Sequence, residues 1–261
     1  MRILFFSLLL GLAGVAQAST FFDHTHGQWT ALLERYVTWD DSGYASTVDY
    51  RGLKQDEAAV GRYLGALSGV SREQYDSWTR EQRLAFLINS YNAFTVRLVI
   101  EHYPLQSIKD VGSLFNSPWK REFIPLLGQI LSLDQIEHGM IREPGVFDEP
   151  RIHFAVNCAS IGCPALSTEA YVAERLNAQL EDSQRRFLSD HRRNRFDTEK
   201  QIFQVSMIFD WYGDDFVKRW GSLESYFGEH LKLLSATSVA PPLEQPSIEF
   251  LDYDWSLNEH R

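Results

Sequence analysis

TREQRLAFLINSYNAFTVRLVIEHYP, residues 79–104, is the stretch on which the fold turns. Thr79 followed three residues later by Gln82 is the spacing of a capping box, and Pro104 stops the helix that the box opens. At 100° per residue, Leu84, Leu87, Ile88, Tyr91, Phe94, Thr95, Leu98 and Val99 share one face, while Phe86, Val96 and Ile100 occupy the other. A helix apolar nearly all round is buried, so Asn89 and Asn92 must find hydrogen-bond partners inside the protein.

Upstream of this helix, residues 24–39 read as an amphipathic helix with Trp29, Leu32, Leu33 and Tyr36 at helical spacing. A polar stretch over 40–48 and a second helix through 61–67 follow. Downstream, FIPLLGQIL over 123–131 reads as a hairpin turning at Gly128-Gln129, with Pro125 marking an edge. Ser132 and Gln135 repeat the capping-box spacing and predict a helix over 133–142. Residues 151–157 read as a strand that runs into a loop marked by Gly162 and Pro164. A helix over 168–188, a basic stretch over 191–195, a second hairpin over 196–209 and a short helix over 211–220 complete the pattern, with an extended tail beyond Ala240. Helices that alternate poorly with a few short strands predict an α+β fold: a mainly helical single domain packed on a small antiparallel sheet.

The N-terminus predicts processing. Arg2, an apolar run from Ile3 to Val15 and the small-residue tripeptide Ala16-Gln17-Ala18 form the pattern of a cleavable signal, giving a mature chain from Ser19 to Arg261. That predicts a periplasmic or secreted protein, and the sequence offers no membrane span of sufficient apolar length. With 25 Lys and Arg against 35 Asp and Glu, the chain has a net charge of −10 and no basic patch, which argues against nucleic acid as a partner. The partner is expected to be a substrate or protein of unknown identity, and no cofactor motif or metal-binding spacing of the common kinds is found.

Chemistry concentrates in the centre of the chain: Glu137-His138, then His153, then NCASIGCP over 157–164 with the two cysteines, Cys158 and Cys163. On the 133–142 helix, Glu137 falls on the apolar stripe with Leu133, Ile136, Met140 and Ile141. A carboxylate there is costly unless paired or protonated, so Glu137 reads either as a structural anchor or as a site residue. A thiol beside an imidazole becomes a thiolate nucleophile, which gives Cys158, His153 and Glu137 the roles of nucleophile, base and orienting carboxylate. On a straight strand His153 and Cys158 point to opposite faces, so their meeting requires a bend at Asn157. The cysteines equally permit a disulfide across a short loop, or zinc ligation with His153 and His138. FDWYGDDF over 209–216 reads as a helix start capped by Asp210, or as a pocket rim in which Asp210 is an alternative orienting carboxylate.

Four stretches, FLINSYNA over 86–93, LSLDQIEH over 131–138, IHFAVNCASIGCPAL over 152–166 and FDWY over 209–212, resemble the domain-of-unknown-function 547 family across about residues 79–220. The resemblance implies an exported bacterial member of a family without an established activity. It also implies a cysteine at Cys158 that is kept where one matching Cys163 is absent, which speaks against a purely disulfide role. The expected function is a thiol-dependent hydrolase or acyl transferase of papain-like or transglutaminase-like style, with Asn92 or Asn157 donating to an oxyanion. The rival is a non-catalytic binding or assembly module pinned by a Cys158–Cys163 disulfide.

Overall fold

Thr79 and Gln82 form the predicted reciprocal cap, and the helix they open runs Arg80–His102 in the computed structural model, which describes residues 21–112, 117–235 and 246–260. Sixteen of its residues are buried, Asn89 and Asn92 among them. The N-terminal signal and its cleavage point lie outside the described residues. Against this helix pack Tyr50–Gln55 and Glu57–Ser68, with Gly27–Tyr36 packed on those two, and their buried stripes help make the larger of two apolar cores. The first of these helices in the chain ends at Tyr36 rather than near Trp39, because Val37–Trp39 pairs with Ser46–Val48 as a small antiparallel ribbon.

The second core is aromatic, built on Phe154, Phe187, Phe203, Phe209, Phe216 and Phe227. It lies among the helices Leu176–Ser189, Gly213–Trp220 and Leu223–Glu229 and a three-stranded sheet. Within that sheet, Arg195–Asp197 and Ile202–Ser206 form the predicted hairpin, while the tail strand Ser247–Leu251 joins Ile202–Ser206 in parallel. The architecture is α+β with small sheets as expected. The tail, read as merely extended, contributes a sheet edge.

The hairpin of Ile124–Leu126 and Gln129–Leu131 turns at Leu127-Gly128, one residue earlier than the sequence suggests. Both central residues take positive φ, 53° and 77°, the backbone twist that two-residue hairpin turns demand and that glycine supplies without strain.

Two expectations fail for local reasons. Arg151–Asn157 is no strand: Pro150–Phe154 is a 3₁₀ turn, opened by the Glu149 side chain accepting from the Arg151 N–H. Pro150 fits the first position of such a turn and cannot donate to a ladder, and a short apolar run such as IHFAV does not distinguish strand from turn by itself. The helix over 168–188 begins only at Leu176, because the backbone at Tyr171 is held extended. Asn89 imitates a strand partner there, accepting from the Tyr171 N–H at 3.0 Å and donating to its carbonyl at 2.7 Å.

Candidate functional site

The Pro150–Phe154 turn stands between the two cores: Ile152 belongs to the first and Phe154 to the second. His153, between them, is 2% exposed and lies under the Tyr212 ring with centroids 4.1 Å apart. Its Nε2 meets the Asp215 carboxylate at 2.9 Å, while Nδ1 is buried without a hydrogen-bond partner among the described residues. With Asp215 ionised, Nε2 carries the proton and donates it to the carboxylate, which leaves Nδ1 as a lone-pair acceptor. Burial pushes the His153 imidazole below its ordinary pKa, with the Asp215 hydrogen bond and the Glu137 charge working against that shift. The ring is therefore neutral near pH 7, the form a base requires.

Asp215, in the first turn of Gly213–Trp220, also accepts from Arg142 Nε at 2.6 Å. Burial opposes its charge, yet the hydrogen bonds from His153 and Arg142 outweigh that and hold the carboxyl well below the usual carboxylate range. The orienting carboxylate of His153 is therefore Asp215, and neither Glu137 nor Asp210 fills that place. Asp210 is exposed within the turn Ile208–Trp211, and Tyr212 rather than Asp210 precedes the next helix. The sequence marked this acidic cluster but not the right member. The usable signal was that an Asp in a helix's first turn, beside a fully buried Phe216, is held by the fold.

Glu137 sits where the predicted 133–142 helix changes pitch. Leu133–Ile136 is α-helical, and Glu137–Ile141 continues as a π turn closed by the Arg142 N–H donating to the Glu137 carbonyl at 2.8 Å. Such single wide turns re-aim side chains and recur at functional sites. Glu137 is 5% exposed and has no cationic partner among the described residues. Its charge and hydrogen bonding, added to burial, raise the hydroxyl pKa of both Tyr91 and Tyr212, so both remain protonated.

Asn92 and Asn157 build the next stretch, with their side-chain amides engaged by main-chain groups. Asn92 donates to the Ala155 carbonyl at 2.9 Å and accepts from the Asn157 N–H at 2.8 Å. The Asn157 amide donates to the Pro164 carbonyl and accepts from the Ala159 N–H. This staple closes the 158–163 loop and holds Ala159 at φ 61°, a left-handed conformation that a residue with a Cβ adopts only when its surroundings impose it.

Inside the loop Cys158 and Cys163 are joined by a disulfide, with Cα atoms 6.1 Å apart. The Tyr253 hydroxyl lies 3.1 Å from Cys158 Sγ and 3.2 Å from Cys163 Sγ. Gly162 is required by this contact, since a Cβ there would come within 2.9 Å of the Tyr253 ring. Both sulfurs being bonded to each other, they are not zinc ligands, and among the described residues no cluster of His, Cys, Asp and Glu is placed to hold a metal.

His153, Cys158 and Glu137 line one cavity of about 290 Å³. Much of the remaining wall is aromatic: Trp211, Tyr253 and Trp255 pack with ring centroids 4.5–5.6 Å apart, and Trp119 continues the row at 5.6 Å from Trp255. The tail residues Tyr253 and Trp255 were not anticipated from sequence; nothing in a short polar segment rich in aromatics announces which cavity it will cover. A separate cleft near Trp39 carries charges already matched to each other, Arg175 with Glu169 and Arg186 with Asp182.

Residues 75–188 match the model of the family described as "Protein of unknown function, DUF547". No curated protein and no solved structure matches the chain.

Proposed function

We propose, from a match of residues 75–188 to the DUF547 family model whose description names no activity, that the chain is a redox-gated cysteine enzyme of acyl transfer acting outside the cytoplasm. The observation that carries the reading is the Asp215–His153 hydrogen bond, which leaves an unpartnered imidazole nitrogen in the residue that shares a cavity wall with Cys158. In the oxidised chain Cys158 is locked. A dithiol reductant opens the bond, becoming a disulfide itself and leaving two thiols. The Cys158 thiol then adds to an acyl carbonyl while its proton passes to His153 Nδ1. His153 returns that proton to the leaving group as the thioester forms, and water or an amine releases the acyl group and restores the thiol. Asp215 holds the ring and stabilises the imidazolium between these steps. Glu137 is left for recognition of the substrate.

Two expected results follow from this reading. Without reductant, iodoacetamide should label neither cysteine. After mild reduction, Cys158 should be alkylated well below the pH at which an ordinary thiol of pKa about 8.5 reacts. The same enhancement should persist in Cys163→Ser and vanish in His153→Ala. A reduced Cys158 no more reactive than a free thiol in the folded protein would leave the disulfide-pinned binding module as the better account. Export is the second part of the proposal: the intact mass of protein recovered from the periplasm or medium should begin at Ser19, and retention of residues 1–18 would refute it. No helix among the described residues is long and apolar enough to cross a membrane.

A further inference from the structure

The cavity wall carries a carboxylate, Glu137, that Tyr91 and Tyr212 meet with hydroxyls but that no cation meets among the described residues. Glu137 is buried to 5% exposure, lines the cavity, and has no salt bridge among the described residues. Burying a carboxylate without a counter-charge is costly, and proteins tolerate it where a ligand supplies the missing partner. The nearby cations are committed elsewhere. Arg142 and Lys218 both hold Asp215, at 2.6 and 3.3 Å, and neither lines the cavity. His138, which does line it, is joined through Nδ1 to Arg142 at 2.6 Å. A second carboxylate, Asp134, also lines the cavity, 3.7 Å from His138 Nε2.

The aromatic part of the wall fits the same ligand chemistry. Ring faces attract ammonium groups, Trp most strongly, and cages that combine several rings with a carboxylate recognise alkylated ammonium. Trp255 already engages one ammonium: Lys109 Nζ, from outside the cavity lining, rests 3.6 Å from its ring centroid.

We infer that the cavity binds an alkylammonium group of its substrate, seated among Trp211, Tyr253 and Trp255 with Glu137 as counter-charge. The inference deepens the acyl-transfer reading by naming the substrate class: the ammonium is the recognition handle, and the acyl carbon lies beside Cys158 in the same cavity. An anionic substrate is disfavoured by the same wall.

The test needs no chemistry, so its failure is separable from failure of the thiol reading. Oxidised full-length protein is titrated calorimetrically with choline, n-butylammonium and the neutral isostere of choline, 3,3-dimethylbutan-1-ol. At least one of the two cations should bind saturably and about tenfold or more tighter than the alcohol, equivalent to one decade in Kd. Glu137→Gln should lose that preference. Should Glu137→Gln fail to fold, Trp255→Leu, at a partly exposed position, supplies the second variant and should weaken the cation more than the alcohol. Equal affinity for cation and alcohol, absence of binding by both cations, or cation preference unchanged in a folded Glu137→Gln protein would overturn the inference. Cation binding together with an unreactive reduced Cys158 would keep it and reject the enzyme reading instead.

Discussion

Asp215→Asn is expected to slow alkylation of the reduced Cys158 thiol by about ten- to a hundredfold, since a hydrogen bond to a charged group contributes roughly 1.5–3 kcal/mol and each tenfold corresponds to about 1.4 kcal/mol. The physical route runs through His153. Its Nε2–H donates to Asp215 at 2.9 Å, which fixes the tautomer and steadies the imidazolium that a neighbouring thiolate needs. An Asn amide can present its NH2 group to Nε2, and then the proton moves to Nδ1, the atom that must accept. Lys218→Ala is the companion measurement. Lys218 also touches Asp215, at 3.3 Å, but it is exposed and leaves the His153 bond in place, so its removal should change the rate little. An Asp215→Asn protein with native near-ultraviolet dichroism and an unaltered alkylation rate would remove the carboxylate from the mechanism.

The largest loss of stability is expected from Asn92→Leu. This side chain serves two buried main-chain groups, the carbonyl of Ala155 and the N–H of Asn157. Leucine leaves both unsatisfied, and each unpaired buried group costs roughly 1–3 kcal/mol, so the midpoint of denaturation should fall by an amount equivalent to about 2 kcal/mol at the least. Because Asn157 in turn closes the cysteine loop through Ala159 and Pro164, the variant should also show earlier loss of the 158–163 conformation, read as faster amide exchange there. An unchanged midpoint would show that these bonds are replaced by water at no cost, contrary to the burial of all three residues.

These two residues also mark how far sequence reasoning reached. Asn92 was legible because a helix apolar on every side turns each internal amide into a demand for a partner, and periodicity plus a capping box is enough to establish such a helix. Asp215 was not, because the partner of a histidine 62 positions away is chosen by tertiary packing. The strand expected at Arg151–Asn157 failed because a five-residue apolar run carries too little period to separate a pleat from a 3₁₀ turn, which Pro150 opens. That error had a chemical consequence: strand alternation set His153 and Cys158 on opposite faces, whereas the 3₁₀ turn and the irregular segment after it bring both to one cavity. The disulfide reading of the cysteines, left open beside two others, is the state the structure contains.

The boundary of the family match runs through the middle of the chemistry. Cut at residues 75 and 188, the chain keeps Glu137, His153 and both cysteines and loses Asp215, Tyr212, Tyr253 and Trp255. The matched segment alone would carry the thiol and imidazole of the proposed chemistry without the carboxylate bonded to that imidazole or the rings that face the cavity. The tail is stitched back to the loop by the Ile161 and Gly162 N–H groups donating to Ser256 and Asp254 carbonyls, so it is held by backbone bonds indifferent to side-chain identity. That attachment sets the smallest fragment that keeps the cavity whole: one that reaches past residue 258, whose N–H donates to the Ala159 carbonyl.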